Sequence, residues 1–138
     1  MKLRLAVVLE LRRSIEDTIK REVGHLERQR AETVALQTAI EQDFQLAVAN
    51  PTRPELRQQL AAYLTALRAA AAEAITMLAA HDERILEARG RLAAAHRDVR
   101  AIEALQERDR IAKRKINARR EGYQNDEFSA RKRLEATP

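Results

Sequence analysis

The chain of 138 residues is 34 % charged and 3 % aromatic, has a net charge of +5 and contains no cysteine. This balance excludes a disulfide framework and a thiolate metal site. It also leaves few rings to fill a wide core, and with three glycines and three prolines few places to break a helix. Alanine, leucine, glutamate, arginine and glutamine dominate, so the expected fold class is all-α with almost no β-structure.

The N-terminus, Met1-Lys2-Leu3-Arg4 followed by apolar Leu5 to Leu9, briefly imitates a secretory signal. Glu10, Arg12 and Arg13 end the apolar run too soon for a signal core or a membrane span. A first helix is expected over about residues 3–49, with Leu5, Val8, Leu9, Ile15, Ile19, Val23, Leu26, Leu36, Ile40 and Phe44 recurring at helical spacing. Polar Arg12 and Arg30 roughen this stripe.

Asn50-Pro51-Thr52-Arg53-Pro54 is the strong punctuation mark. Two prolines three apart remove backbone donors and restrict the residues before them, so the first helix stops near Asn50. Pro54 suits the first turn of the next helix. A turn of about four residues folds the two helices back antiparallel.

The second helix, expected over about 55–130 with a tail to 138, carries the more regular seam. Leu60, Leu64, Leu67, Ala71, Ala74, Leu78, His81, Ile85, Ala88, Leu92, Ala95, Val99 and Ile102 follow one another at alternating steps of four and three. The mean step of about 3.5 residues keeps the stripe on one side of an under-wound helix and demands a partner helix. The architecture expected is a single coiled-coil domain, a long two-helix antiparallel hairpin. His81, the polar member of the seam, is read as a residue that loosens the coil, with a ligand or pH-sensing role as the alternative.

A first helix of that length spans roughly 70 Å, and its counterpart on the second helix is used up near Ile102. Extending the heptad places Gln106 and Asp109 where apolar residues had been, and beyond them Leu105, Ile111, Ile116, Tyr123 and Phe128 are scattered. The C-terminal quarter therefore reads as an overhang. Its first part is basic: from Arg108 to Arg120, Arg108, Arg110, Lys113, Arg114, Lys115, Arg119 and Arg120 stand against the single acid Asp109. That charge implies an acidic partner, with a merely solvated helix face as the alternative. No aromatic is interleaved with the basic cluster, so nucleic acid is disfavoured as the partner.

Phe44 and Tyr63 lie either side of the turn, where Phe44 continues the first stripe and Tyr63 sits beside Leu64. Tyr123 and Phe128 lie at the far end, where an apolar ring without a companion helix points to a partner. His25, His81 and His96 are too irregularly spaced for a metal pair on one face, and no phosphate loop or Ser/His/Asp arrangement is visible. No catalytic residue, metal or cofactor is expected.

At Arg97-Asp98-Val99-Arg100-Ala101-Ile102-Glu103-Ala104-Leu105-Gln106-Glu107-Arg108, again at Glu121-Gly122-Tyr123-Gln124-Asn125-Asp126-Glu127-Phe128, and in the opening Leu5 to Glu16 segment, the sequence resembles the flagellar export protein family FliJ. The resemblance implies a non-enzymatic, cytoplasmic component of the flagellar type III export apparatus, important for motility. It would be a stalk-like coiled coil that enters the export ATPase ring and contacts the cytoplasmic domain of the export gate and the escort-chaperones for late substrates. It would meet the inner membrane through these partners alone. On that resemblance the ATPase-binding residues are Arg108, Lys113, Arg114, Lys115, Arg119 and Arg120, with Tyr123 and Phe128 as apolar anchors. The gate patch is carried over to Gln37, Phe44 and Val48 on the first helix and Tyr63, Leu67 and Ala70 on the second. The alternatives are the equivalent stalk of a virulence-type injectisome, a dimerising coiled-coil scaffold, and a basic helix that binds nucleic acid or an anionic membrane.

Overall fold

The computed structural model describes residues 2–50 and 53–136; Met1, Pro51 and Thr52 of the expected turn, and residues 137–138 of the tail lie outside the described residues. The fold is all-α. Helix α1 runs Lys2–Ala49, and helix α2 runs Arg57–Glu135, past the expected end near residue 130. Between them a short 3₁₀ turn, Pro54–Leu56, leads into α2.

The turn follows from proline chemistry. Arg53 is held extended (φ −62°, ψ 140°) ahead of Pro54, as the proline ring requires of the residue before it. Pro54 takes a first-turn position where its missing N–H is no loss. The Leu56 N–H then reaches the Arg53 carbonyl at 2.9 Å, while the Asn50 N–H closes the end of α1 on the Leu46 carbonyl at 3.2 Å.

Two compact units are formed, residues 15–95 and residues 1–14 with 96–138. In the 15–95 unit the two helix segments pair antiparallel as a coiled coil. From α2, every seam residue from Leu60 to Ala95 is buried or half-buried, in the order the heptad predicts. Ala74 and Ala88 are the most enclosed, at 1 % and 0 % exposure, because a small side chain lets the facing helix approach closely.

The α1 half of the seam differs from the expectation. Glu16, Ile19, Val23, Leu26, Arg30, Thr33, Gln37, Ile40, Phe44 and Ala47 face α2, at the same alternating steps of four and three. Ile15 and Leu36 do not: they stand one position off this line, 39 % and 50 % exposed. A step of one residue turns a helix by about 100°, so these two leave the line of Glu16 and Gln37 and stand at the margin of the stripe, one turn before Ile19 and Ile40. The long apolar run on α2 fixes the register, and polar residues of α1 are carried into the seam with it.

One such polar layer is buried. Thr33 Oγ1 donates to the Gln29 carbonyl at 3.2 Å and therefore accepts, at 3.0 Å, from His81 Nε2–H. The tautomer is thereby set, and Nδ1 of His81 is left buried without a partner. Ion pairs bracket the seam on its two flanks. Arg89 with Glu27 (2.7 Å) and Arg30 with Asp82 (2.6 Å) mark one flank; Arg91, donating a hydrogen bond to each carboxylate oxygen of Glu22 at 2.6 and 3.0 Å, marks the other. The Arg91 hydrogen bonds hold the Glu22 carboxyl below its ordinary range and raise the Arg91 guanidinium in turn.

In the unit of residues 1–14 with 96–138, Leu9 and Val99 are buried, 6 % and 4 % exposed, while Val8 is 40 % exposed and off the seam. Arg12 pairs with Asp98 at 3.7 Å and Arg13 with Glu103 at 3.3 Å. Pairing does not stop at Ile102: Gln106 and Asp109 are also half-buried, opposite Leu5. The overhang begins after Asp109, and every described residue from 110 to 136 is exposed.

Candidate functional site

The basic segment stands on a helix that continues without a companion. Two of its charges are neutralised by neighbours one turn back: Arg110 donates to both oxygens of Glu107 (3.1 and 2.7 Å), and Lys113 pairs with Asp109 at 3.4 Å. The Arg110 hydrogen bond holds the Glu107 carboxyl below its ordinary range, helped by the nearby charges of Arg110 and Arg114. Arg108, Arg114, Lys115, Arg119 and Arg120 have no ion-pair partner among the described residues.

These charges do not share a face. Lys113, Arg114 and Lys115 fan out in steps of about 100°, and Arg119 and Arg120 fall between them, so positive potential surrounds the helix. Arg108 is the exception within the set. It belongs to the paired part of the unit, where it lines a groove of about 630 Å³ with Arg4, Leu5, Leu105, Asp109 and Ala112. This groove could not be read from the sequence, because Arg4 and Leu5 meet Arg108 only through the folding back of α2.

The two anchors also diverge. Tyr123 is 70 % exposed and Phe128 63 %, but five residues turn a helix by about 140°, which sets the rings on different sides. Tyr123 continues the line of Ile116, seven residues before it, in the phase of the seam. Phe128 is roofed by its own neighbour, with Lys132 Nζ 5.4 Å from the ring centroid.

The second expected patch lies in the 15–95 unit and is divided. Gln37, Phe44 and Leu67 line one shallow groove of about 270 Å³ with Ile40, Glu41, Arg68 and Ala71. The Arg68 guanidinium sits 5.5 Å from the Phe44 centroid, a cation–π contact worth about 0.5–1 kcal/mol at an exposed site. Val48, 59 % exposed, repeats Glu41 one heptad on and belongs to the same flank. Tyr63 and Ala70 belong to the other: they repeat Arg91 at intervals of seven, on the Glu22 side of the seam. Glu41 and Arg68 were missed in the sequence because nothing local announces a contact across the turn.

Among the described residues no group of three or more His, Cys, Asp or Glu is arranged to hold a metal ion, and no helix is long and apolar enough to cross a membrane. His25 is exposed, whereas His81 is occupied by Thr33.

In comparison with known proteins, the family described as "Flagellar FliJ protein" matches residues 1–136. No curated protein and no solved structure matches the chain.

Proposed function

Because this chain belongs to the flagellar FliJ family, whose members are components of the flagellar type III export apparatus, we propose that it is the non-enzymatic coiled-coil stalk of that apparatus, engaging the export ATPase ring through its basic overhang in the cytoplasm. The observation that carries this reading is the exposed helix from 110 to 136, around which Arg114, Lys115, Arg119 and Arg120 are spread without an ion-pair partner among the described residues. A shaft inside a ring of repeated subunits needs a surface that several walls recognise at once and none holds too tightly. Exposed lysine and arginine contacts are individually weak, about 0–1 kcal/mol each, so they exchange between equivalent acidic positions with low barriers. Arg114, Lys115, Arg119 and Arg120 are the residues assigned this task, with Arg108, Lys113 and the apolar rings of Tyr123 and Phe128 beside them.

Contact with the export gate falls, in this reading, to the Gln37–Phe44–Leu67 groove and Val48 on one flank of the 15–95 unit and to Tyr63 and Ala70 on the other, and the escort-chaperones are further partners. Replacing Arg114, Lys115, Arg119 and Arg120 together with alanine is expected to abolish stimulation of the cognate export ATPase and its ring assembly while leaving helicity unchanged. Undiminished stimulation by the substituted protein would sink the assignment. The competing scaffold reading draws on Ile116 and Tyr123, exposed in the phase of the seam; it requires the mass in solution to double through paired overhangs, which sedimentation measures directly.

A further inference from the structure

The Glu22–Arg91 flank of the 15–95 unit changes character toward the turn. Steps of seven from Glu22 reach Gln29, Leu36 and Asp43 on α1; the same steps back from Arg91 reach Arg84, Met77, Ala70 and Tyr63 on α2. Leu36, Met77 and Tyr63 are 50 %, 41 % and 47 % exposed. Since Thr33 faces His81 across the seam, Leu36 and Met77 stand side by side. Ala39 and Leu46 widen the strip on α1, and half-buried Ala80 widens it on α2. The opposite flank has ion pairs and the charged roof of Arg68 at the corresponding stations.

A two-stranded coil confines apolar residues to two positions per heptad and leaves its flanks charged. Apolar residues that spill into a third position on both helices are the pattern of helices in a larger bundle, which bury a wider stripe. No described residue covers this strip. We propose that Leu36, Met77, Ala70 and Tyr63 form the seat of a third amphipathic helix, supplied by another protein and carrying lysine or arginine beside its apolar stripe.

The charge of the occupant comes from Asp43 and Glu73, which lie on this flank, are exposed, and have no ion-pair partner among the described residues. The chain as a whole carries +5, so a basic helix is repelled at long range and favoured by these two carboxylates locally. A preference for a basic over an acidic helix is thus the opposite of what net charge alone would give. From Tyr63 to Met77 the strip runs about 21 Å along α2, room for a helix of about four turns and a contact small enough to be reversible. Tyr63 and Ala70 are shared with the gate positions proposed above, but Leu36 and Met77 are not. None of the four lies in the overhang, so ATPase stimulation tests that reading separately from this one.

The test uses the full chain and two labelled peptides of about 20 residues, each with one leucine stripe, flanked by lysine in the first and glutamate in the second. Fluorescence anisotropy at physiological salt is expected to show the lysine peptide binding at least about tenfold tighter, with NMR shifts at the Met77 and Leu36 methyls. The double variant Leu36→Gln/Met77→Gln, at exposed positions, should lose about tenfold in affinity with unchanged helicity, and Asp43→Lys/Glu73→Lys should reverse the preference. Absence of binding by either peptide, equal or tighter binding of the glutamate peptide, shifts confined to other residues, or self-association abolished by Met77→Glu would each overturn the proposal, the last by making a second copy the occupant.

Discussion

The most informative single residue is His81, because its two ring nitrogens have different fates. Nε2–H is satisfied by Thr33, whose own proton is committed to Gln29, while Nδ1 is buried and bare. Removing one partner of a buried pair leaves the other with its full desolvation cost, about 1–3 kcal/mol, whereas removing the orphaned group itself does not. The variant Thr33→Val is therefore expected to lower stability by about 1–3 kcal/mol, and His81→Leu to raise it by about 1–2 kcal/mol, since Thr33 keeps its bond to Gln29 and an apolar group enters the seam. Thermal or urea unfolding read by circular dichroism checks both; a stabilising Thr33→Val would show that the Thr33–His81 bond contributes nothing. Arg30 and Asp82, paired beside this layer, are left intact by either change. His81 was legible as a seam position, but Thr33 was not: a threonine inside a rough stripe has no signature until the opposite helix is in place.

At the scale of the element, helix α2 is uniform enough in sequence that its weak and tight points stand out. A methyl group added at Gly90 or at Gly122 meets nothing within 4 Å. Gly90→Ala should stabilise the paired helices by about 0.5–1 kcal/mol through reduced backbone freedom in the unfolded chain, read as a raised unfolding midpoint. Ala88 is the reverse case: with 0 % exposure it has no room, and Ala88→Leu should cost about 1–3 kcal/mol by overpacking. The Glu22–Arg91 pair supplies a pH dependence. Its carboxyl is held below the ordinary range by the Arg91 hydrogen bonds, so the folded state binds that proton less readily than the unfolded one. The contribution is present above the ordinary carboxylate range and is lost as pH falls through the lowered value. Glu22→Gln should flatten the acid limb of the stability–pH curve and leave neutral pH little changed, because the pair is exposed. An acid limb as steep as that of the parent would refute the linkage.

For the molecule as a whole, the contrast is between helix with a partner and helix without one. Segments of α2 up to Asp109 bury residues against α1, whereas 110–136 bury none. Isolated helices draw little stability from propensity alone, so backbone amides from about 113 onward should exchange with solvent orders of magnitude faster than those around Ala74 or Ala88, as hydrogen–deuterium exchange reads. Equal protection would mean that the free chain already covers its overhang. Gly122, at the middle of that stretch, should respond in the same experiment, with Gly122→Ala slowing exchange nearby. Nothing in this contrast depends on the ion pairs along the flanks, which are exposed and individually weak.

The sequence by itself determined the all-α fold and the α2 seam, because these rest on properties read along one strand of chain: an unbroken heptad from Leu60 to Ile102 and scarcely any helix breaker outside the prolines. It also exposed the basic overhang, which is a matter of local composition. The tertiary structure decided what depends on two strands at once. It chose Glu16, Thr33 and Gln37 over Ile15 and Leu36 for the α1 side of the seam, extended pairing to Asp109, brought Arg4 and Leu5 to Arg108, and divided Tyr63 and Ala70 from Phe44 and Leu67. The physical reason is register. Hydrophobic burial is summed over the whole interface, so the regular stripe on α2 sets the alignment, and the rougher stripe on α1 places polar or apolar residues wherever that alignment puts them.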